Sequence, residues 1–408
     1  MRRAAMRGPI AVESEKVMTA ATAFEEIEQL HETAGAAAMI DRLIETLRSE
    51  KNYHRLFDAL LLKVRFEMGL PLVGTSSFDD VPAEKQAAFE ERYVAAARDT
   101  GESLLAEGDI PQAWVYLRTI QEPEKVRAAI EALPLPDESD EKTEEIINIA
   151  LNEGVHPVRG FELLLRTHGI CNTITAFDQQ APQFSPGDRR HVAELLVHEL
   201  YDDLCRTLRQ EIEQKLAGVS PGETLRELLA GRDWLFEDGN YHIDVSHLNS
   251  VVRFARFLDS SSSELQQAIE LAEYGTHLDA QFQYPGDPPF EEFYPAHVHY
   301  LNVLAGNDRD RGLAYFRDRI DAQTEEQDRA IVAYVLVDLL GRIDETDEAL
   351  NVAETYLKHL DEGSGFSFSD LCRRAGRWDT LQAIARERGD LVSFAAALIR
   401  DRSDRPAT

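Results

Sequence analysis

The chain has 408 residues, 43% of them hydrophobic and 29% charged, and a formal net charge of −31 from 74 acidic and 43 basic side chains. That length and apolar content suffice for a large buried core and exclude wholesale disorder. The acidity argues against a charge-driven grip on nucleic acid or anionic lipid, because both need clustered cations; neither nucleic acid nor membrane is expected as a partner.

Taken in chain order, the first twenty residues, MRRAAMRGPIAVESEKVMTA, hold arginines but no apolar core of a secretory signal. Residues 1–18 are expected as a disordered tail. From there the apolar residues recur at i, i+3, i+4 and i+7, the period of one helix face, and alternating strand patterns do not recur. In MIDRLIETL (39–47), Ile40, Leu43, Ile44 and Leu47 share a face; YHRLFDALLLKV (53–64) repeats the pattern after the short turn RSEKN. Two helices joined so tightly pack antiparallel. GLPLVGTSSFDDVPAE (69–84) reads as a long loop, and LPLPDESDEK (133–142) as an acidic linker that closes an N-terminal set of helical repeats over 19–140. A histidine-rich helical module is expected over 141–285, further repeats over 286–400 and a tail over 401–408. The segment QYPGDPPFEEFYP (283–295) reads as a rigid loop packed on its own aromatics, with a lid or partner site as the alternative, and DEGSGFSFS (361–369) as a glycine- and serine-rich break. The longest apolar run, AIVAYVLVDLLG (330–341), is too short to cross a bilayer, which takes about 20 residues. Cys171, Cys205 and Cys372 show no paired spacing, which points to free thiols in a reducing, cytoplasmic setting.

A unit of helix, tight turn and helix recurs. LLAEGDIPQAWVYL (104–117) shows it, as do LVDLLGRIDETDEALNVAETYL (336–357), LCRRAGRWDTLQAIA (371–385) and ARERGDLVSFAAALI (385–399). Gly306, Gly341 and Gly376 stand 35 residues apart, a period that marks a helical solenoid. A glycine just past a helix end can take the left-handed conformation, and an aspartate after it can cap the next helix. On these residues the chain resembles the tetratricopeptide-repeat family. GDIPQA matches its turn with Gly108, Asp109 and Ala113, the small residue where two helices touch; GRWDTL and GDLVSF, at Gly376 and Gly389, put Leu381 and Phe394 where alanine is expected. The resemblance is clearest at about 95–130 and 299–400 and weak over 150–290. It implies an all-α fold, a right-handed solenoid of antiparallel helix pairs, and a concave face that binds peptides or proteins.

Nine of the twelve histidines fall between 156 and 299. In HVAELLVHELYDD, His191, His198 and Asp202 lie within about 20° of one another on a helix, opposite Val192, Leu196, Leu200 and Leu204. Side chains of these types can bind Zn²⁺ when they converge, but residues seven apart are about 10 Å apart along the axis, and the i, i+4 histidine pair of HExxH is missing. In NYHIDVSHLNS, His242 and His247 flank Asp244. Asp244 or Ser246 stands where a helix cap belongs, ahead of a buried stripe of Leu248, Val251, Val252, Ala255 and Leu258. His247 then packs in the first turn, the alternative being a site shared with His198 or His299. Pro295 suits a first helical turn, His297 shares a face with Leu301 and Leu304, and His299 points elsewhere. Cys171 beside His168 does not by itself make a thiol nucleophile. No phosphate-binding loop, dinucleotide fingerprint or serine elbow occurs, and no cofactor or catalytic residue is expected.

The expectation is a non-catalytic scaffold that holds a protein or peptide segment in a concave groove, with a basic partner favoured by the net charge. Two alternatives stay open. One is a metal-assisted enzyme in which at least three of His191, His198, His242, His247 and His299 converge, with Asp202 as a further ligand. The other is a structural subunit of a larger assembly. The residues fix no oligomeric state.

Overall fold

The computed structural model describes residues 10–136, 138–216, 222–358 and 366–404. Of the expected tails, 1–9 and 405–408 lie outside the described residues, as do 361–365 of the glycine- and serine-rich break; residues 10–18 begin the first helix. The described residues form helices joined by turns and loops, with a single pair of bridged residues, Pro285 and Glu292, in place of any strand. The chain divides into two compact units, one up to Thr167 and one from His168.

The first unit contains α1 (Ile10–Ser49), α2 (Tyr53–Met68), α3 (Ala83–Ala106), α4 (Ile110–Thr119), α5 (Pro123–Glu131), α6 (Glu141–Leu151) and the start of α7 (Pro157–Gln180). From α1 to α6 each helix packs on the next. The turn between α1 and α2 is three residues long, with Lys51 at φ +56. The α3–α4 contact is close because Gly101 has no side chain: a Cβ there would sit 2.7 Å from Cγ of Leu117. Asp109 caps α4 by accepting from the backbone N–H of Gln112 at 3.4 Å, and Ala113, Trp114 and Leu117 carry the buried face. Trp114 donates to Glu153 at 2.8 Å, tying α4 to the end of α6.

The second unit begins in α7, which breaks at Gly169 (φ +77, ψ 174). It continues with α8 (Pro186–Lys215), α9 (Leu225–Leu229), α10 (Val245–Phe254) and α11 (Leu265–Thr276). Val192, Leu196, Leu200, Leu204, Leu208 and Ile212 run as one buried stripe along α8, which packs against α9, α10, α11 and the 3₁₀ turn Ala255–Phe257. Here a single long helix serves as the core of its neighbours. Beyond it, α12 (Phe293–Leu304), α13 (Arg309–Ala322), α14 (Glu326–Arg342), α15 (Thr346–Tyr356), α16 (Phe368–Ala375), α17 (Trp378–Arg388) and α18 (Leu391–Asp404) follow, each packed on its successor. Helix α12 also touches α14, so these two alternate helices stand side by side. Gly275 and Gly312 provide further close approaches, Gly275 beneath the Tyr294 ring and Gly312 against Val303.

Gly108, Gly306, Gly376 and Gly389 take φ between +66 and +76 just past helix ends. Gly341 departs from the expected turn: it lies inside α14, and Asp344 takes the left-handed position instead, at φ +62. The helix runs on because its last turn is held from outside, where Arg374 donates to the Gly341 carbonyl at 2.9 Å.

Candidate functional site

Asp244 caps α10, its Oδ1 accepting from the backbone N–H of Ser246 at 2.8 Å and of His247 at 3.3 Å. Leu248, Val251, Val252, Ala255 and Leu258 are all buried behind it. His247 is half-buried in that first turn. His191 is exposed on α8. His198 is exposed too and lies 3.5 Å from Asp202, a solvated i, i+4 pair. His297 is buried and donates from Nδ1 to the Phe293 carbonyl at 2.7 Å; burial, reinforced by Arg256, pushes its pKa down to about 3, so the ring is neutral. His299 stacks on Tyr315 at 4.6 Å and lines a polar cleft with Arg226, Asn302, Asn307 and Arg311. The convergence of three histidines that the metal-site alternative requires is not found: among the described residues no three His, Cys, Asp or Glu side chains are grouped to hold an ion. The helix phase that separates His191 and His198 from α8's buried stripe also keeps them from the histidines within the core.

Two of the polar groups sequence reasoning did not connect are buried. His242 sits with Nε2 3.0 Å from Glu211 and with the Tyr274 hydroxyl 3.1 Å from Nδ1. The carboxylate fixes the proton on Nε2, so Nδ1 accepts from the Tyr274 hydroxyl, which itself accepts from the His242 backbone N–H at 3.0 Å. Burial lowers the His242 pKa, and Glu211 opposes it. Glu270 of α11 is buried as well. It accepts from the Tyr201 hydroxyl at 2.7 Å and from the Leu225 N–H at 3.0 Å, so a carboxylate from one helix caps another. Burial raises the Cys205 thiol to about 11, which leaves it an unreactive core residue. In both networks the buried groups bond to one another and to backbone, with the Glu211 carboxylate partly exposed, so their hydrogen bonds serve to fix structure.

The open site lies between α14 and α16. A cleft of about 330 Å³ is lined on one side by Tyr334, Asp338 and Arg342 and on the other by Phe366, Asp370 and Arg374. Arg342 is fixed on the carbonyls of Arg256 and Leu258 and on the Tyr300 hydroxyl of α12 at 2.8 Å. Burial raises the Tyr300 pKa to about 12, so that hydroxyl keeps its proton; it donates to Asp338 at 3.3 Å. Asp370 is held by Arg373. Arg374 spends one N–H on the Gly341 carbonyl and pairs with no carboxylate among the described residues. A signal for this site was present in the sequence: Tyr334 and Asp338 stand four apart within the apolar run 330–341, and Arg342 follows directly after it, four residues on from Asp338.

The loop over 283–295 is packed as an aromatic plug. Phe290 is buried, stacks on His297 at 4.4 Å, and carries the Arg256 guanidinium 4.7 Å from its ring centre. Among the described residues no helix is long and apolar enough to cross a membrane. In comparisons with known proteins, no family model and no curated protein matched the chain.

Proposed function

We propose that the chain is a non-catalytic interaction scaffold, a right-handed solenoid of tetratricopeptide-like helix pairs, that holds an extended segment of a partner protein along α12, α14 and α16. The observation that carries this reading is the open cleft between α14 and α16, with Tyr334 and Phe366 as apolar walls and the Asp338–Arg342 and Asp370–Arg374 groups at its edges. Arginines clamped on backbone carbonyls lose little freedom when a ligand arrives, so their contacts come at low entropic cost. The net charge favours partners with basic residues, and the three unpaired cysteines support a reducing, cytoplasmic setting. The test is selection of random displayed peptides on the full chain, followed by titration of the enriched sequences against wild type, Tyr334→Ala and Asp370→Lys. Enriched peptides should bind wild type and weaken roughly tenfold or more on each variant, as for anchors at the centre of an interface. If no sequence is enriched, or if the two variants bind as well as wild type, the groove is not the site.

A further inference from the structure

A single arginine organises the long connection between α2 and α3. Arg65 of α2 is fully buried, and all five of its N–H groups are used. Nε donates to the Thr75 carbonyl at 2.8 Å, and Nη1 to the Pro71 carbonyl at 2.9 Å. Nη2 donates to the Ser77 carbonyl, and both Nη atoms reach the Asp80 carboxylate, at 3.0 and 2.9 Å. Below this centre, Val64, Leu70, Val81 and Phe89 form a small apolar core, and Phe78 meets Phe89 edge-on at 5.0 Å. Loops of this length in compact folds are uncommon and are mostly functional when they are ordered.

This framework leaves its own tip in water. Val73 is 90% exposed and Leu72 46%, with Gly74 turning the chain back at φ +73. Burying a guanidinium costs desolvation that the carbonyls and Asp80 only offset, and solvating two aliphatic side chains gains nothing for an isolated molecule. The arrangement is favourable when the tip enters another surface, because a loop already in its bound shape loses little entropy on docking. Charge selects the occupant. Asp79 and Glu84 are exposed within and just after the loop, and the chain carries −31 overall. A second copy, an acidic protein and an anionic lipid surface are all repelled.

We propose that the 69–82 loop is a preformed docking element whose Leu72–Val73 tip inserts into an apolar pocket rimmed by lysine or arginine on another protein. The surface belongs to the first unit and stands independently of the groove reading.

The test places a photo-crosslinking amino acid at position 73 of the full chain in its native cells, with exposed position 32 as the control. The adduct partner is then purified and titrated against wild type, Val73→Asp and Leu72→Ser at low and moderate salt. These solvent-facing changes leave the Arg65 centre intact, and unchanged thermal unfolding verifies that. The expected result is a discrete adduct at 73 that is absent at 32, from a partner with a basic apolar pocket. Its affinity should fall roughly tenfold or more with each variant and should weaken as salt rises. The proposal is overturned if no discrete adduct forms, if the adduct is a second copy of this chain, if the variants bind as wild type does, or if the tip instead retains the protein on zwitterionic vesicles.

Discussion

Glu270 stands where several helices depend on one carboxylate. Its Oε2 accepts from the Tyr201 hydroxyl and from the backbone N–H groups of Leu225 and Arg226, the last at 3.4 Å. Glu270→Ala leaves the buried Tyr201 hydroxyl without its acceptor and the Leu225 N–H with the Tyr201 oxygen alone, and should cost about 3 kcal/mol in urea unfolding. Glu270→Gln keeps one acceptor oxygen and should cost distinctly less; equal losses from both would mean that packing, not the hydrogen bonds, sets the effect. His297 gives a pH signature. Its folded pKa is lowered to about 3, while an unfolded histidine titrates near 6.5. Between those values the unfolded chain binds the extra proton, so stability is complete above about 6.5 and drains away as the pH falls toward 3. His297→Leu should flatten that part of the stability–pH curve, and an unchanged slope in denaturant titrations at pH 4 and 7 would remove His297 as its source.

Among the elements, the α11–α12 contact is the most sensitive to an added methyl. A Cβ on Gly275 would overlap the Tyr294 ring, and Tyr294 is itself fixed by its hydrogen bond to Asn249 at 2.6 Å. Gly275→Ala should therefore destabilise by about 2 kcal/mol, the scale of core overpacking, read as a lower midpoint in calorimetry. A neutral result would mean that the two helices separate freely. The elements that were legible in the sequence were those specified locally. The α10 cap at Asp244 and its stripe through Leu258 lie within fifteen residues, and periodicity alone places them. What escaped was assembled across distance. Arg65 reaches Asp80 around a loop, His242 meets Glu211 and Tyr274 from two other helices, and Gly341 stays helical because Arg374 caps α14 from the next pair. Spacing in one segment carries no record of such partners. The candidate cleft was half visible: its α14 side shows as Tyr334 and Asp338 four apart in an apolar run, whereas nothing in the α16 sequence says that it faces α14.

For the whole molecule, the surplus of acid is the dominant long-range term. Like charges repel most in the compact state, so raising salt from low ionic strength should screen them and lift the melting temperature. A melting temperature that falls over the same range would show that attractive surface pairs, such as Arg226–Glu273, outweigh the net repulsion. The carboxylate cap on α9 also bears on how the second unit comes together in time. Helix α9 spans only Leu225–Leu229, far too short to persist alone in water. Although Thr224 and Glu227 form a local capping box, the N–H of Leu225 waits on Tyr201 and Glu270, 24 and 45 residues away. Closing both loops comes before the reward of that bond, so α8 and α11 must dock first and α9 condenses onto them late. In a refolding experiment read by pulsed hydrogen exchange, the Leu225 amide should then gain protection only after the amides of α8, marking the last stage of the unit's assembly.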